Sequence, residues 1–379
     1  MLRLLKFELY KVYRQKSIYI LFALLIGIIS LSFNFDRERE QAVLQEYQPW
    51  EGKITADKLA QIDVHKQEIE KKMDDETYNM SLDDSVLYSI SESFSIRKQK
   101  MMEREQEITK LTTLINDAPS AFKKRNALIH TDLLRKVDTS NFYYQKGPSN
   151  MIDMIYTFGF VITAFMLIIG ISPIFSKEYS SGMDQFLLSS KYGRSKLVTA
   201  KLLAAIIFTV SIAIGWIAYS AAISIYSYGS HGWSAPLQSM HEHLNAPYPF
   251  TLGESYALMI SMHLLAAIAL ALIIVFVSAI CKRILMSLLV SGFIFGLPFV
   301  IDVVPGFEWL EEFGWISSTL NLSIYHLMKV KNQFIAFETY NMFGFPVLYP
   351  IVAVVLSVIT ATIFAYLTKW VLKRKQVAV

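Results

Sequence analysis

The residues that could do chemistry are few and scattered. The tightest cluster is His241-Glu242-His243-Leu244-Asn245. A zinc-protease helix needs its second histidine four positions after the first, on the same face, and that position is Asn245. No catalytic zinc is expected from this spacing, and an adventitious or regulatory ion is only a minor alternative. Glu311-Glu312 offers paired carboxylates for an intramembrane hydrolase, but the arginine and downstream histidines needed at helical spacing inside a span are missing. His263 lies within an apolar run, where an ionisable group is costly and faces a cavity or a partner. It reads either as a proton relay or, with more weight, as a neutral histidine hydrogen-bonded between helices. Asp153 and Asp302 fall near the ends of apolar runs, within reach of headgroups or water. The single Cys281 has no second thiol for a disulfide or a metal site and reads as a small apolar residue near a helix end. A chain that hydrolysed its own ATP would carry Gly-x-x-x-x-Gly-Lys-Ser/Thr, whose amides and lysine cradle the phosphates; the sequence has none. No catalytic residue, metal or cofactor is therefore assigned to this chain.

The elements that must position these residues are membrane helices. Of 379 residues 53% are hydrophobic, the mean hydropathy is +0.37, and residues 154–176 and 202–230 contain no Asp, Glu, Lys, Arg or His. Runs beyond about 18 apolar residues mark spanning helices. Six are expected: Ser17 to Phe35, then 152–175, 200–227, 255–280, 284–304 and 347–370. Residues 1–16 place Leu2, Leu5, Leu9 and Val12 on one helical face, with Arg3, Lys6, Lys11, Arg14 and Lys16 around the rest. This reads as an interfacial elbow helix before a retained signal anchor. The segments that lie inside if the amino terminus does hold 16 basic residues, whereas the two short outer loops hold Lys329 and Lys331 alone. The positive-inside rule then puts both termini in the cytoplasm. The net charge of +4 thus speaks to topology and anionic lipid, with no nucleic-acid partner.

The composition changes completely over residues 36–150, which hold 18 Lys or Arg and 21 Asp or Glu. This is expected to be an extracytoplasmic helical domain. Leu59, Ile62, Ile69 and Met73 form one apolar stripe; Phe94, Met101, Ile108, Leu111 and Ile115 form another. Helices over 54–73 and 94–115, parted by a turn region from Asn79 to Ser91, would make an antiparallel hairpin, with a third helix from Ala121 to Val137 at its base. A charged spacer without a ligand is the plainer reading. Residues 305–346 are too polar to span and rich in Trp, Tyr and Phe, which suits an outer interfacial segment. Gly292, Gly296 and Pro298 would let the fifth span approach another helix closely and then kink.

Between the second and third runs lies a charged interval, Ile174 to Lys201, that must be a short loop at a membrane surface. Glu178, Gly182, Phe186-Leu187-Leu188 and then Arg194, Lys196 and Lys201 resemble the first cytoplasmic loop of ABC-transporter permeases of the second, exporter-type superfamily. The resemblance covers roughly 1–35 and 150–379; the insert departs from that family's minimal pattern. It implies a coupling helix within 177–197 that docks on a separate ATPase subunit, with Glu178, Tyr179, Gly182, Asp184, Phe186 and Leu187 at the contact. ATP and magnesium would sit on that partner, in two copies. A second permease subunit, identical or not, would complete the pathway. Lys6, Lys11, Arg14, Arg194, Lys196 and Lys201 read as anchors to the inner membrane surface.

The fold class expected is therefore all-α: a six-span bundle in three parts, an elbow and first span (1–35), the insert (36–150) and a five-span core (151–379). The function expected is a permease subunit of an ATP-driven exporter in a bacterial plasma membrane. Its aromatic and aliphatic walls suit an amphipathic or hydrophobic substrate such as an antimicrobial peptide or a lipid-linked antibiotic target. The rival is a non-transporting membrane sensor whose outer domain binds a ligand and signals through the inner loop.

Overall fold

The computed structural model describes all residues except 32, 34–36, 76, 119, 191–192, 308, 310–312 and 376–379, with the backbone alone at 188 and 315. Glu311-Glu312, the Phe35 end of the first expected span and the side chain of Leu188 lie outside what is described. The chain opens with α1 (Leu2–Tyr13) and α2 (Lys16–Leu31), bent by 58° to one another. At 16 residues α2 is shorter than the expected first span, and the pair is long and apolar enough to cross a membrane only when taken together.

The insert carries α3 (Arg37–Tyr47), strand β1 (Gly52–Lys53), α4 (Ala56–Met73), α5 (Leu82–Asp117), α6 (Ala121–Lys136) and β2 (Asn141–Phe142), with β1 and β2 antiparallel. The turn expected from Asn79 to Ser91 is mostly helix. Ser81 caps α5 by accepting from the Asp84 amide, Asp83 and Asp84 fill its first turn, and the helix runs for 36 residues. The core therefore shifts along it. Ile62 of α4 packs with Val86, Ile90 and Phe94 of α5, together with Trp50 and Phe142. Met101, lower on the expected stripe, is 40% exposed. The far half of α5 instead faces α6 and its flank, where Arg104 donates to Thr139 and His130 lies beside Glu107.

The remaining chain is the bundle. Lys146–Ser180 is one 35-residue helical stretch, made of α7 (Lys146–Met154), a π-turn (Ile155–Gly159), α8 (Phe160–Ile171) and α9 (Pro173–Ser180). Then come α10 (Met183–Ser189), α11 (Lys196–Tyr228), α12 (Leu252–Ile280) and α13 (Ile284–Val303). The short α14 (Gly314–Asn321), α15 (Ile324–Lys329) and α16 (Asn332–Ile335) precede the hairpin β3 (Thr339–Met342) and β4 (Phe345–Leu348), and α17 (Tyr349–Arg374) closes the chain. Five of these stretches are long and apolar enough to span a membrane, a sixth being the bent α1–α2 pair.

α12 is the centre. A capping box between Thr251 and Glu254 starts it, and Ala266, Ala267, Ala269 and Ala271 are fully buried, so that neighbouring helices approach closely. The glycines that permit close crossing are Gly159 and Gly170: a Cβ there would lie 2.5 Å from Trp216 and 2.6 Å from Phe208. Gly292 and Gly296 do not play that part within the chain. A Cβ on either would meet nothing within 4 Å, and the surrounding face of α13, with Leu289, Phe293 and Leu297, is exposed. Pro298 is buried inside α13, which continues to Val303. The 305–346 segment is also less superficial than expected, since Tyr325, Met328, Val330 and Phe334 are buried in the main core.

Candidate functional site

At the loop end of the bundle four charged side chains close a ring. Glu8 and Lys11 face α9 from one turn of α1; Glu178 comes from the last turn of α9 and Lys201 from the second turn of α11. Lys201 Nζ donates to Glu8 Oε2 at 2.9 Å, to Glu178 Oε1 at 2.7 Å and to the Ile174 carbonyl at 2.7 Å. Lys11 Nζ donates to the same Glu178 oxygen at 2.7 Å and lies 2.7 Å from Glu8 Oε1. Two cations and two anions thus alternate, with no net charge. Lys201 is fully buried and Glu8 is 1% exposed. All three ammonium protons of Lys201 are used, and the Phe175 ring lies 4.9 Å from Nζ.

The ring is the C-terminal fixing of α9; its N-terminal fixing is made of serines. Pro173 opens α9 one residue after α8 ends, leaving the first amides of the new helix without intrahelical partners. Ser278 of α12 supplies one: its Oγ accepts from the Phe175 and Ser176 amides at 3.0 and 3.1 Å and donates to the Ser172 carbonyl at 2.6 Å. Ser287 of α13 donates to that carbonyl at 3.1 Å. α9 is therefore tied to α1, α11, α12 and α13. A cleft of 440 Å³ runs beside it, lined by Phe7, Lys11 and Arg14 on one side and by Pro173, Lys177 and Glu178 on the other.

What α9 carries is the short helix α10. Gly182, with φ +71°, turns the chain between them, and its amide donates to the Tyr179 carbonyl, the bond of a glycine helix cap. On α10 Met183 is 54% and Phe186 77% exposed, while Asp184 and Leu187 are half-buried. Tyr179 faces the bundle, donating to the Ala279 carbonyl at 3.1 Å, with Lys375 Nζ 3.3 Å from its ring centre. Burial pushes the Lys375 ammonium below its ordinary pKa, against the opposing pull of Asp184.

The sequence residues thus divide. Gly182, Asp184, Phe186 and Leu187 stand together at the surface, whereas Glu178 is in a helix and turns inward. Lys6, Arg14, Arg194 and Lys196 are exposed. Lys201 is not one of them: its ammonium is enclosed by Glu8 and Glu178 and cannot reach a headgroup. Lys11 is half-buried in the same ring. Sequence reasoning missed Glu8, Ser278 and Ser287. The signal for Glu8 was present, because a lysine one turn inside an apolar span needs an anion.

His263 belongs to a second buried polar group, midway along the bundle. Its Nδ1 lies 2.8 Å from the Met328 carbonyl, which can only accept, so Nδ1 carries a proton. Nε2 lies 3.1 Å from Thr163 Oγ1, whose one hydroxyl proton goes to the Gly159 carbonyl at 2.7 Å, and Trp216 donates to Thr163 at 3.0 Å. A carbonyl and an indole terminate this chain and neither passes a proton on. The histidine joins α8, α12 and α15.

The histidines of the 241–243 turn separate: His241 is exposed, His243 is buried with Nδ1 3.3 Å from the Phe334 carbonyl, and Glu242 pairs with Lys331 at 2.9 Å. Among the described residues no three His, Cys, Asp or Glu converge to hold a metal. Asp302 accepts from Tyr325 and Lys329, and Asp153 from Tyr156. No family model, curated protein or solved structure matches the chain.

Proposed function

We propose that the chain is the membrane subunit of an ATP-driven exporter, and that α10 receives the stroke of a separate ATPase. The observation that carries this is the ion-pair ring. A short helix with exposed Phe186 and Met183 is suited to a partner's groove, and it hangs from α9, whose last turn is locked by Glu178 to α1 and α11. A push on α10 is then delivered to three helices at once and not absorbed by a flexible loop. ATP and magnesium belong to the partner in this reading, and a second permease subunit completes the path for an amphipathic or hydrophobic substrate. The exposed apolar face of α13 is available to lipid or to that subunit.

A photo-crosslinking amino acid at Phe186, in cells that make the chain naturally, tests this. The expected product is a crosslink to a protein with a phosphate-binding loop. The co-purified complex should hydrolyse ATP while the isolated chain does not, and Phe186→Asp, in a chain without the crosslinker, should abolish association. ATP hydrolysis by the isolated chain, or a complex that tolerates Phe186→Asp unchanged, would sink the reading.

A further inference from the structure

Where the insert meets the bundle there is a cleft of 690 Å³, within the range of small-molecule sites. One wall is α3 and α5, with Tyr47, Val86, Ser89 and Arg97; the other is the start of α7 and the 238–244 turn. Arg97 and Gln238 also line a smaller cleft of 100 Å³ on the other side, so they stand on the wall that the two share.

Arg97 is the unusual member. It is 7% exposed, yet no Asp or Glu oxygen lies within 4.0 Å of it among the described residues. Nη1 donates to the Asn141 carbonyl at 3.1 Å and the guanidinium lies 5.3 Å from the Phe142 ring centre. Those contacts orient the group without neutralising it, and buried arginines are normally paired. Burial pushes its pKa down to about 10, which leaves it charged at neutral pH. The other charges around the cleft have partners: Lys146 holds Glu40, Glu242 holds Lys331, and Asp153 takes the Tyr156 hydroxyl. Gln238 adds a second unfilled valence. Its Nε2 donates to the Ala246 and Tyr248 carbonyls, which fixes the amide, and its buried Oε1 has no partner.

We infer that this cleft binds a short peptide through its terminal carboxylate, which pairs with Arg97. One uncompensated guanidinium matches a singly charged carboxylate in a bidentate fork; a phosphate dianion would leave a charge over. The Tyr47 and Tyr143 rings and the apolar Leu82, Val86 and Ile96 provide for side chains. The site stands apart from the inner ring and holds whether or not α10 engages an ATPase.

The full chain in lipid nanodiscs, titrated calorimetrically with a tripeptide-acid library and with the same library as C-terminal amides, tests it without ATP. Acids should bind and amides should bind at least tenfold more weakly. Arg97→Gln should lose at least tenfold for acids and nothing for amides, with Arg97→Lys intermediate. Ser89→Tyr narrows the cleft from an exposed position on α5, so it should lose acid binding with an unchanged unfolding midpoint, and it serves if Arg97→Gln fails to fold. Equal binding of acids and amides, no binding at millimolar concentration, full affinity in Ser89→Tyr, or binding of phenyl phosphate in preference to the acids would each overturn the inference.

Discussion

A lysine buried in the second turn of a membrane helix keeps its charge only if anions come with it, and Lys201 has two. Removing one member of such a group leaves an uncompensated buried charge, at a cost of about 3–5 kcal/mol, whereas replacing a pair by apolar groups of similar volume is often neutral. Lys201→Met should therefore lower the unfolding midpoint in detergent sharply, by leaving Glu8 and Glu178 with Lys11 alone. Adding Glu8→Leu should restore most of the loss, because Lys11 and Glu178 still balance. A double variant no better than the single would mean that the ring is not a coupled unit. His243 carries the opposite lesson at the insert end. Burial, chiefly, depresses its pKa from 6.5 to about 4, although the Phe334 carbonyl and Glu242 favour the charged form and Lys331 opposes it. The unfolded chain takes up this proton as pH falls below 6.5 and the folded one resists until about 4, so stability present above 6.5 is lost across that window. The gap corresponds to about 3 kcal/mol. His243→Gln should flatten that limb of a midpoint-against-pH curve, and an unchanged slope would remove His243 from the account. The sequence signals that Lys201 needs an anion but not which one, and it says nothing of the burial of His243. The spacing of His241 and His243 argued against a zinc site without saying what His243 does, and Lys201 at the head of an apolar run suggested a headgroup anchor, because the partners Phe334 and Glu8 are remote in the chain.

At the scale of elements, what a sequence states locally came through and what depends on packing did not. The long spans are written in charge-free runs, whereas the charged interval between the second and third, read as a loop, is mostly the helices α9 and α10. The start of α5 was hidden because Ser85, Ser89, Ser91, Ser93 and Ser95 look like turn chemistry. In place, Ser89, Ser91, Ser93 and Ser95 donate back to carbonyls three or four residues earlier, as serines do inside helices. Gly182 was legible as a residue and its reason lies in the fold. No atom lies within 4 Å of where its Cβ would be, but at φ +71° an L-residue pays about 1–2 kcal/mol. Gly182→Val should leave the global unfolding midpoint nearly unchanged while hydrogen exchange in α10 rises, the strain being local to the junction. A large fall in the midpoint with no change in α10 would show that the turn supports the bundle and not the short helix.

The whole molecule adds a contact that no local pattern announces: the insert is fastened to the bundle through the β3–β4 hairpin. Arg125 of α6 donates to the Gly344 carbonyl and lies 4.2 Å from the Phe345 ring centre, and His130 stacks on Phe337 at 3.9 Å. Thr339 donates to Asn126. The insert is thus held close to the bundle at α6, while the connection between α4 and α5 lies at the exposed Asn79. From the charge census we propose that the insert lies outside, and this has a direct consequence. With the basic loop inside, a cysteine at Asn79 faces the outside and should react with an impermeant maleimide in intact cells lacking an outer barrier. Native Cys281, at the opposite end of α12 from the insert, should react only after lysis. The converse pattern would place α10 and the ion-pair ring away from cellular ATP, and the exporter reading would fail with it. The carboxylate cleft would then open to the cytoplasm, its chemistry intact but its source of peptides changed.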